Sequence, residues 1–158
     1  MQQQQTADRP PISPRDPAVQ MVDSAYQIIT MIGANPRAIR PILAQRRLTK
    51  EQVLDAVASA TERTAIMLAE LDGIAAERRA EHDLTVTEIS ARIAAWGADP
   101  TGATAPDGEP AEVTHLRSQL AAANAAISRL QAEQRGPRQF CARLQERTTR
   151  VGEVYATL

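Results

Sequence analysis

Residues 48–82, LTKEQVLDAVASATERTAIMLAELDGIAAERRAEH, predict one long helix around which the other elements of the chain are arranged. Two signals mark its start. Thr49 and Gln52 have the spacing of a capping box, in which each side chain bonds the other residue's backbone N–H. Leu48 and Val53 have the spacing of a hydrophobic staple across that cap. The sequence therefore predicts a helix that begins at about residue 50.

Apolar residues of this helix recur every seven positions in three adjacent columns. The columns are Val57, Thr64 and Leu71; Val53, Ala60, Met67 and Ile74; and Leu54, Thr61, Leu68 and Ala75. Three columns form a stripe wide enough to face two neighbouring helices. Arg78 falls on the first column and is expected to end the buried part, whereas Ile66 lies off the stripe.

The composition favours an all-α fold. Aromatic residues make up only 3% of the chain, and no β-rich segment stands apart from the helical patterns. A length of 158 residues fits one domain, or one small domain with an extension. The predicted architecture is an N-terminal helical bundle built on the long helix, then a linker, then a coiled-coil or αα-hairpin extension.

The bundle is predicted to span residues 16–96, after a disordered tail at 1–15 that is rich in Gln and Pro. Asp16 and Pro17 suit the cap and first position of a helix that stops at Gly33. The apolar stripe of that helix is Val22, Ala25, Ile29 and Ile32, broadened by Met21, Tyr26 and Ile28.

Proline at position 41 shapes the next segment. It has no N–H for a helical bond to Arg37 and crowds that carbonyl. A turn is therefore expected at 35–40, and a short helix at 41–47.

A second capping box, formed by Thr85 and Glu88, follows the long helix. It predicts a new helix at 86–96, closed by Gly97. The shared face of that helix is Ile89, Ile93 and Trp96. The alternative is a single kinked helix over 50–96.

Residues 97–111 hold three glycines and three prolines and are predicted to be a linker. The extension at 112–158 opens with a strict heptad repeat of the kind that favours parallel dimers. The predicted oligomerisation seam is Val113, Leu116, Leu120, Ala123, Ile127 and Leu130.

Gly136 and Pro137 are predicted to break this helix and to be followed by a last helix at 138–156. The apolar face of the last helix is Phe140, Leu144, Val151, Tyr155 and Leu158. If it folds back on 113–134, the extension is an αα-hairpin instead of a dimeric coiled coil.

Charge is distributed in three blocks, with balances of +4 for residues 1–50, −9 for 51–112 and +4 for 113–158. An acidic middle can neutralise the basic ends within or between subunits, or the ends can meet an anionic partner. The start lacks the features of a signal peptide, and no apolar run is long enough to span a membrane. A cytoplasmic protein without membrane contact is expected.

Few residues suit catalysis or metal binding. Glu112 and His115 have the E-x-x-H spacing of di-iron bundles, but those sites need a second pair and two further glutamates. Cys141 lies near Arg138 and Arg143, which would favour its thiolate, but no positioned histidine accompanies it. A solvated surface pair and a semi-buried structural thiol are therefore expected. No enzymatic activity, no metal and no cofactor is predicted.

Basic residues form two clusters that are candidates for contact with an anion or nucleic acid. They are Arg37, Arg40, Arg46, Arg47 and Lys50 in the first cluster, and Arg138, Arg143 and Arg147 in the second. Clusters of this kind neutralise phosphates without sequence specificity. The alternative is that they form solvated faces or pair with the acidic middle block.

These features predict a non-catalytic, self-associating helical protein that acts as a structural scaffold or adaptor in a macromolecular assembly. A homo-oligomer, with a dimer favoured, and a further protein partner are expected. The alternative is a dimeric DNA-binding accessory protein that grips phosphates through its arginines. Helix and heptad patterns like these occur in many unrelated proteins, so they assign no family.

Overall fold

The computed structural model describes residues 11–97 and 110–158, which form four α-helices and no strand. The helices are α1 (Pro17–Ile32), α2 (Pro36–Gln45), α3 (Lys50–Ala95) and α4 (Ala111–Ala156). The predicted all-α class is confirmed. Within the described residues the chain divides into two compact units: unit 1 holds 11–70 and 137–158, and unit 2 holds 71–97 and 110–136.

The helix starts in unit 1 follow the local capping signals. The Asp16 side chain accepts a hydrogen bond from the Ala18 N–H at 2.9 Å and caps α1. At the start of α3 the Thr49 N–H donates to Gln52 Oε1 at 2.9 Å, and the Gln52 N–H donates to Thr49 Oγ1 at 3.1 Å. α1 ends at Gly33, where φ is 85°. These three predictions are confirmed.

The core of unit 1 is one continuous apolar cluster to which all four helices contribute. Its buried members are Ile12, Val19, Val22, Ala25, Ile28, Ile29, Ile39, Leu43, Val53, Ala56, Ala60, Leu144, Val151, Val154 and Tyr155. The Tyr155 hydroxyl donates to the carbonyl oxygen of Ala25 at 3.3 Å, so the core includes a satisfied polar contact between α1 and α4. The predicted apolar face of the last helical segment is confirmed.

Two expectations about the edges of this core were wrong. Ile12 belongs to the predicted tail but is only 4% exposed, so residues 11–15 do contribute to the core; residues 1–10 lie outside the described part. Ile32, placed on the α1 stripe, is exposed because α1 ends there. The α3 stripe is buried through Val53, Ala60 and Thr64, and Ile66 is exposed as predicted.

The second helix begins earlier than predicted. The Asn35 side chain accepts from the Arg37 N–H at 3.0 Å, and proline at position 36 suits the first helical position. Pro41 lies inside the helix, where burial of Ile39 and Leu43 on one face offsets the lost hydrogen bond. The predicted turn at 35–40 is therefore wrong.

The end of α2 is a Schellman turn with an arginine in the left-handed position. The Leu48 N–H donates to the Leu43 carbonyl at 2.9 Å, and the Arg47 N–H donates to the Ala44 carbonyl at 3.1 Å. Arg47 has φ of 54°, a conformation usually taken by glycine. This turn sets the angle at which the chain enters α3.

α3 continues through the predicted second start, so the alternative of a single helix is the observed one. The Thr85 hydroxyl donates to the Glu81 carbonyl at 3.1 Å, and the Thr87 hydroxyl donates to the Asp83 carbonyl at 2.8 Å. Both threonine hydroxyls thus donate to carbonyls of the preceding helical turn, as threonines inside helices do. Thr85 therefore does not act as the N-cap of a new helix. A separate helix at 86–96 was wrong.

α4 likewise continues through Gly136 and Pro137, and the predicted break there was wrong. Proline removes one helical hydrogen bond. Buried Gln134 and Cys141 on either side anchor the helix, so the loss is tolerated. The last helix is part of the same helix as 113–134 and cannot fold back on it.

Unit 2 is an antiparallel pair made from parts of α3 and α4. Near one end Ile89 and Ile93 pack against Val113 and Leu116, with Leu120 partly buried beside them. Near the other end Gln134 Nε2 donates to the Leu71 carbonyl at 3.0 Å. The predicted hairpin, in which the last helix folds back on 113–134, is therefore wrong, because the partner of the heptad segment is α3. Of the predicted linker, 98–109 lie outside the described residues.

Candidate functional site

The predicted oligomerisation seam faces the interior of unit 2. Val113, Leu116, Ala123 and Leu130 are buried within the single chain. Leu120 and Ile127 are partly buried. A second copy can use this seam only by displacing α3 from it, for example through an exchange of helices. Self-association through these residues remains a prediction.

Unit 2 leaves three large apolar side chains exposed, two on α3 and one directly after it. Ile74 is 44% exposed, Trp96 50% and Leu84 62%. The sequence had placed Trp96 on the face of Ile89 and Ile93, but it lies beyond the last turn of α3 and leaves that contact. Exposed apolar side chains of this size are common at protein contacts.

Unit 1 carries a groove between α1 and α4 of about 620 Å³. It is lined by Tyr26, Ile29 and Thr30 from α1 and by Gln145, Glu146, Thr149, Arg150 and Glu153 from α4. Met31, which is 82% exposed, lines a neighbouring pocket of about 220 Å³ that shares Tyr26. The groove mixes acidic, basic and apolar groups, and it was not predicted because its two sides lie more than a hundred positions apart in the chain.

The first arginine cluster is largely open to solvent. Arg37, Arg46 and Arg47 are exposed, and they form no ion pair within residues 11–97 and 110–158. Arg40 is exposed too, but its Nη2 donates to the backbone oxygen of Leu158 at 2.6 Å. Lys50 is partly buried at the start of α3. Three of the five predicted contacts are therefore available to an anion.

The second cluster is partly engaged within unit 1. Arg147 Nη1 lies 2.6 Å from Asp23 Oδ1, and its guanidinium stacks 5.4 Å from the centre of the Tyr26 ring. Arg143 is exposed beside a pocket that Asp23 also lines, and Arg138 is partly buried. These contacts give Arg147 a structural role, because they join α4 to α1.

A second ion pair of unit 1 was not predicted. Arg63 of α3 binds Asp16, and both side chains are mostly buried. Burial raises the pKa of the Asp16 carboxyl, but the hydrogen bonds from Arg63 and from the Ala18 N–H outweigh it and leave the pKa below its usual value of 3.8. Asp16 therefore both caps α1 and joins it to α3.

Cys141 is fully buried, as expected for a structural thiol. Burial raises the pKa of the thiol, and the nearby Arg138 guanidinium only partly opposes that change. The thiolate is the reactive form of cysteine. A buried thiol with a raised pKa is consequently a poor nucleophile.

The E-x-x-H pair is divided between two different contacts. Glu112 lies 3.3 Å from Arg92 Nη2 of α3, whereas His115 contacts Gln119 at 3.1 Å between their Nε2 atoms. No group of three or more potential metal ligands occurs among the residues with described positions. Nor does any described helix have the length and apolar character needed to cross a membrane.

Comparisons with known proteins return no relative from which a role could be carried over. No protein-family model matches the sequence, and no curated protein or solved structure matches it.

Proposed function

We propose that this protein is a non-catalytic helical scaffold or adaptor that self-associates through unit 2. The observation that carries the proposal is the imbalance between a small core and exposed apolar groups in that unit. Its apolar core cluster has four buried residues and one partly buried one, while Ile74 and Leu84 on α3 and Trp96 directly after it remain exposed.

A two-helix unit has only one seam in which to bury apolar surface. Stable helical folds add a further layer that covers the remaining apolar faces. A second antiparallel pair packed against the first would complete a four-helix bundle, the usual arrangement for helices of this length and composition. A symmetric dimer brings the same surface from both copies together, so the exposed side chains of one copy can contact the same side chains of the other.

Sedimentation velocity on the full chain tests this proposal. The unmodified chain is expected to form a dimer or larger species, and Leu84→Glu or Trp96→Glu to shift it toward the monomer. Both side chains are already exposed, so circular dichroism should show unchanged helix content. Met31→Glu in unit 1 is the matched control, because Met31 is still more exposed and is expected to leave the mass unchanged.

The proposal fails if the unmodified chain remains monomeric at every concentration tested. It fails equally if Met31→Glu dissociates the oligomer and the two unit 2 variants do not. Removal of α4 would be a poor test, because Leu144, Val151 and Tyr155 from that helix complete the core of unit 1.

A second candidate function, DNA binding through the first arginine cluster, is favoured by the exposure of Arg46 and Arg47. The test is an Arg46→Ala, Arg47→Gly double variant, in which glycine suits the left-handed backbone at position 47. If the cluster binds DNA, affinity should fall for all sequences, and the salt dependence should decrease by about two phosphate contacts. Unmodified protein that fails to bind duplex DNA at low salt would exclude this function.

A further inference from the structure

A polar gap interrupts the seam of unit 2. Arg78 continues the α3 column of Val57, Thr64 and Leu71, and His82 continues the column of Leu68 and Ala75. Seven positions after His82 the same column holds Ile89, and the side chain of Ile89 is buried. Positions that break the local pattern of a fold are where function is expected, since the break costs stability.

The gap opens into a pocket of about 230 Å³ between the two helices of unit 2. Its lining residues are Arg78 and His82 from α3 and Ala126, Arg129, Leu130 and Glu133 from α4. Leu130 is buried, and Arg78 and Arg129, both exposed, line the pocket from opposite helices. Neither guanidinium forms an ion pair or a side-chain hydrogen bond with any part of the chain that the structure describes.

We infer that this pocket binds a phosphate group, as the free anion or as a small phosphomonoester. Two arginines that line one pocket from opposite helices, without partners among the described residues, supply several N–H donors for the oxygens of one phosphate. His82 supplies a further ring nitrogen at the same pocket.

Glu133 is the one acidic side chain in the lining of this pocket, so its replacement should change phosphate affinity in the opposite direction from replacement of an arginine. It follows Arg129 by four positions, the spacing of a helical ion pair, but it makes no such pair in the structure. Its carboxylate therefore repels a bound phosphate while leaving the arginines available. Replacing it should strengthen anion binding, whereas replacing either arginine should weaken it.

The experiment is a titration of the ¹⁵N-labelled full chain with sodium phosphate at constant ionic strength, with sodium chloride as the reference salt. Saturable shifts of the backbone amide signals are expected near Arg78, His82 and Arg129. Arg78→Gln and Arg129→Gln should each weaken binding by about tenfold or more, the effect of losing a charged hydrogen bond. Glu133→Gln should strengthen it.

Arg79→Gln is the matched control. Arg79 adjoins Arg78 on the same helix but does not line the pocket, and it lies 3.7 Å from Asp83. It is expected to leave phosphate binding unchanged. An equal loss in Arg79→Gln and Arg78→Gln would show diffuse attraction to a charged surface and would overturn the inference, as would shifts that do not saturate.

A parallel titration with a nucleoside monophosphate distinguishes the two sources of the phosphate. Tighter binding than that of inorganic phosphate identifies a phosphomonoester as the ligand, and equal or weaker binding identifies the free anion. Signals that respond only to duplex DNA would overturn the inference in favour of a nucleic-acid surface. Sedimentation tests self-association separately, so failure of either proposal leaves the other standing.

Discussion

Replacing Gly136 with alanine tests whether α4 is continuous. In the structure Gly136 lies within the helix and its φ is not positive. Apart from its two chain neighbours and the backbone of its own helix, no atom lies within 4 Å of where a Cβ would stand. Glycine inside a helix costs about 0.5–1 kcal/mol relative to alanine, mainly because the unfolded chain loses more freedom on folding. Pro137 follows directly, and its ring crowds a Cβ on the preceding helical residue, so the substitution should increase the free energy of unfolding by at most that amount.

If the helix breaks at Gly136, alanine there should instead decrease the free energy of unfolding. Glycine at a helix end commonly adopts positive φ, where alanine is strained. Gly33 provides the comparison within the same chain, because it ends α1 with φ of 85° and ψ of 179°. Gly33→Ala is expected to cost about 1–3 kcal/mol, the range for backbone conformations that only glycine adopts readily.

Thermal unfolding followed by far-ultraviolet circular dichroism measures both effects. For a chain of this size the expected gain in Gly136→Ala corresponds to a rise in Tm of at most about 4 °C. Gly73→Ala should give a similar rise, because Gly73 also lies inside a helix with open space around it. A fall in Tm for Gly136→Ala as large as that for Gly33→Ala would refute the continuous helix.

Three further substitutions or measurements probe unit 1. Ile39→Ala should lower the free energy of unfolding by about 2–5 kcal/mol in urea denaturation because Ile39 is fully buried, whereas Ile66→Ala, at an exposed position, should cost less than about 1 kcal/mol. The lowered pKa of Asp16 stabilises the fold above pH 3.8, and this contribution is lost as the pH falls through the folded-state pKa. Asp16→Asn keeps the cap but loses the ion pair with Arg63. The unmodified chain should thus be more stable than this variant at neutral pH, and the difference should shrink below pH 3.8. A difference that is constant with pH would contradict the prediction. Cys141 should react with a thiol reagent only as fast as the chain opens, and rapid reaction of the folded protein would show that the thiol is accessible.

The helix starts were predictable because their causes lie within a few residues. Thr49 and Gln52 satisfy each other's backbone donors across three positions, so the spacing alone identifies the cap. Asp16 illustrates the same locality at α1. The same kind of signal failed at Thr85, because a capping box stabilises a helix start only where the preceding residues leave the helix.

The predicted helix breaks at Pro41 and Pro137 were wrong for a different reason. Pro41 and Pro137 each lose one helical hydrogen bond, an effect of about 3 kcal/mol or more that acts locally. Burial on the same helix opposes that loss: Ile39 and Leu43 flank the first, and Gln134 and Cys141 flank the second. Tertiary packing of this kind depends on which helix lies alongside, which the sequence of one helix does not contain.

In the candidate sites, too, local features were predictable from the sequence and contacts between distant residues were not. The heptad repeat correctly identified Val113 and Leu116 as buried, but a repeat specifies a face and not the helix that covers it. The contact of Arg147 with Asp23 and Tyr26 joins residues more than a hundred positions apart and left no signal in the sequence. Arg78, by contrast, was recognisable in the sequence as a charged residue on an apolar column, and only its place beside Arg129 in one pocket required the structure.

In unit 2, Leu84 and the pocket proposed for phosphate lie on different sides of α3. Leu84 follows His82 by two positions, about 200° around the helix axis, so it lies on the side away from the pocket that His82 lines. A second copy that covered the pocket would have to bury Arg78 and Arg129 without partners, which is strongly unfavourable. An interface centred on Leu84 avoids that cost and leaves the pocket open to a phosphate. The proposed interface at Leu84 and the proposed binding of phosphate in the pocket are therefore compatible in one molecule, and separate substitutions can test each one.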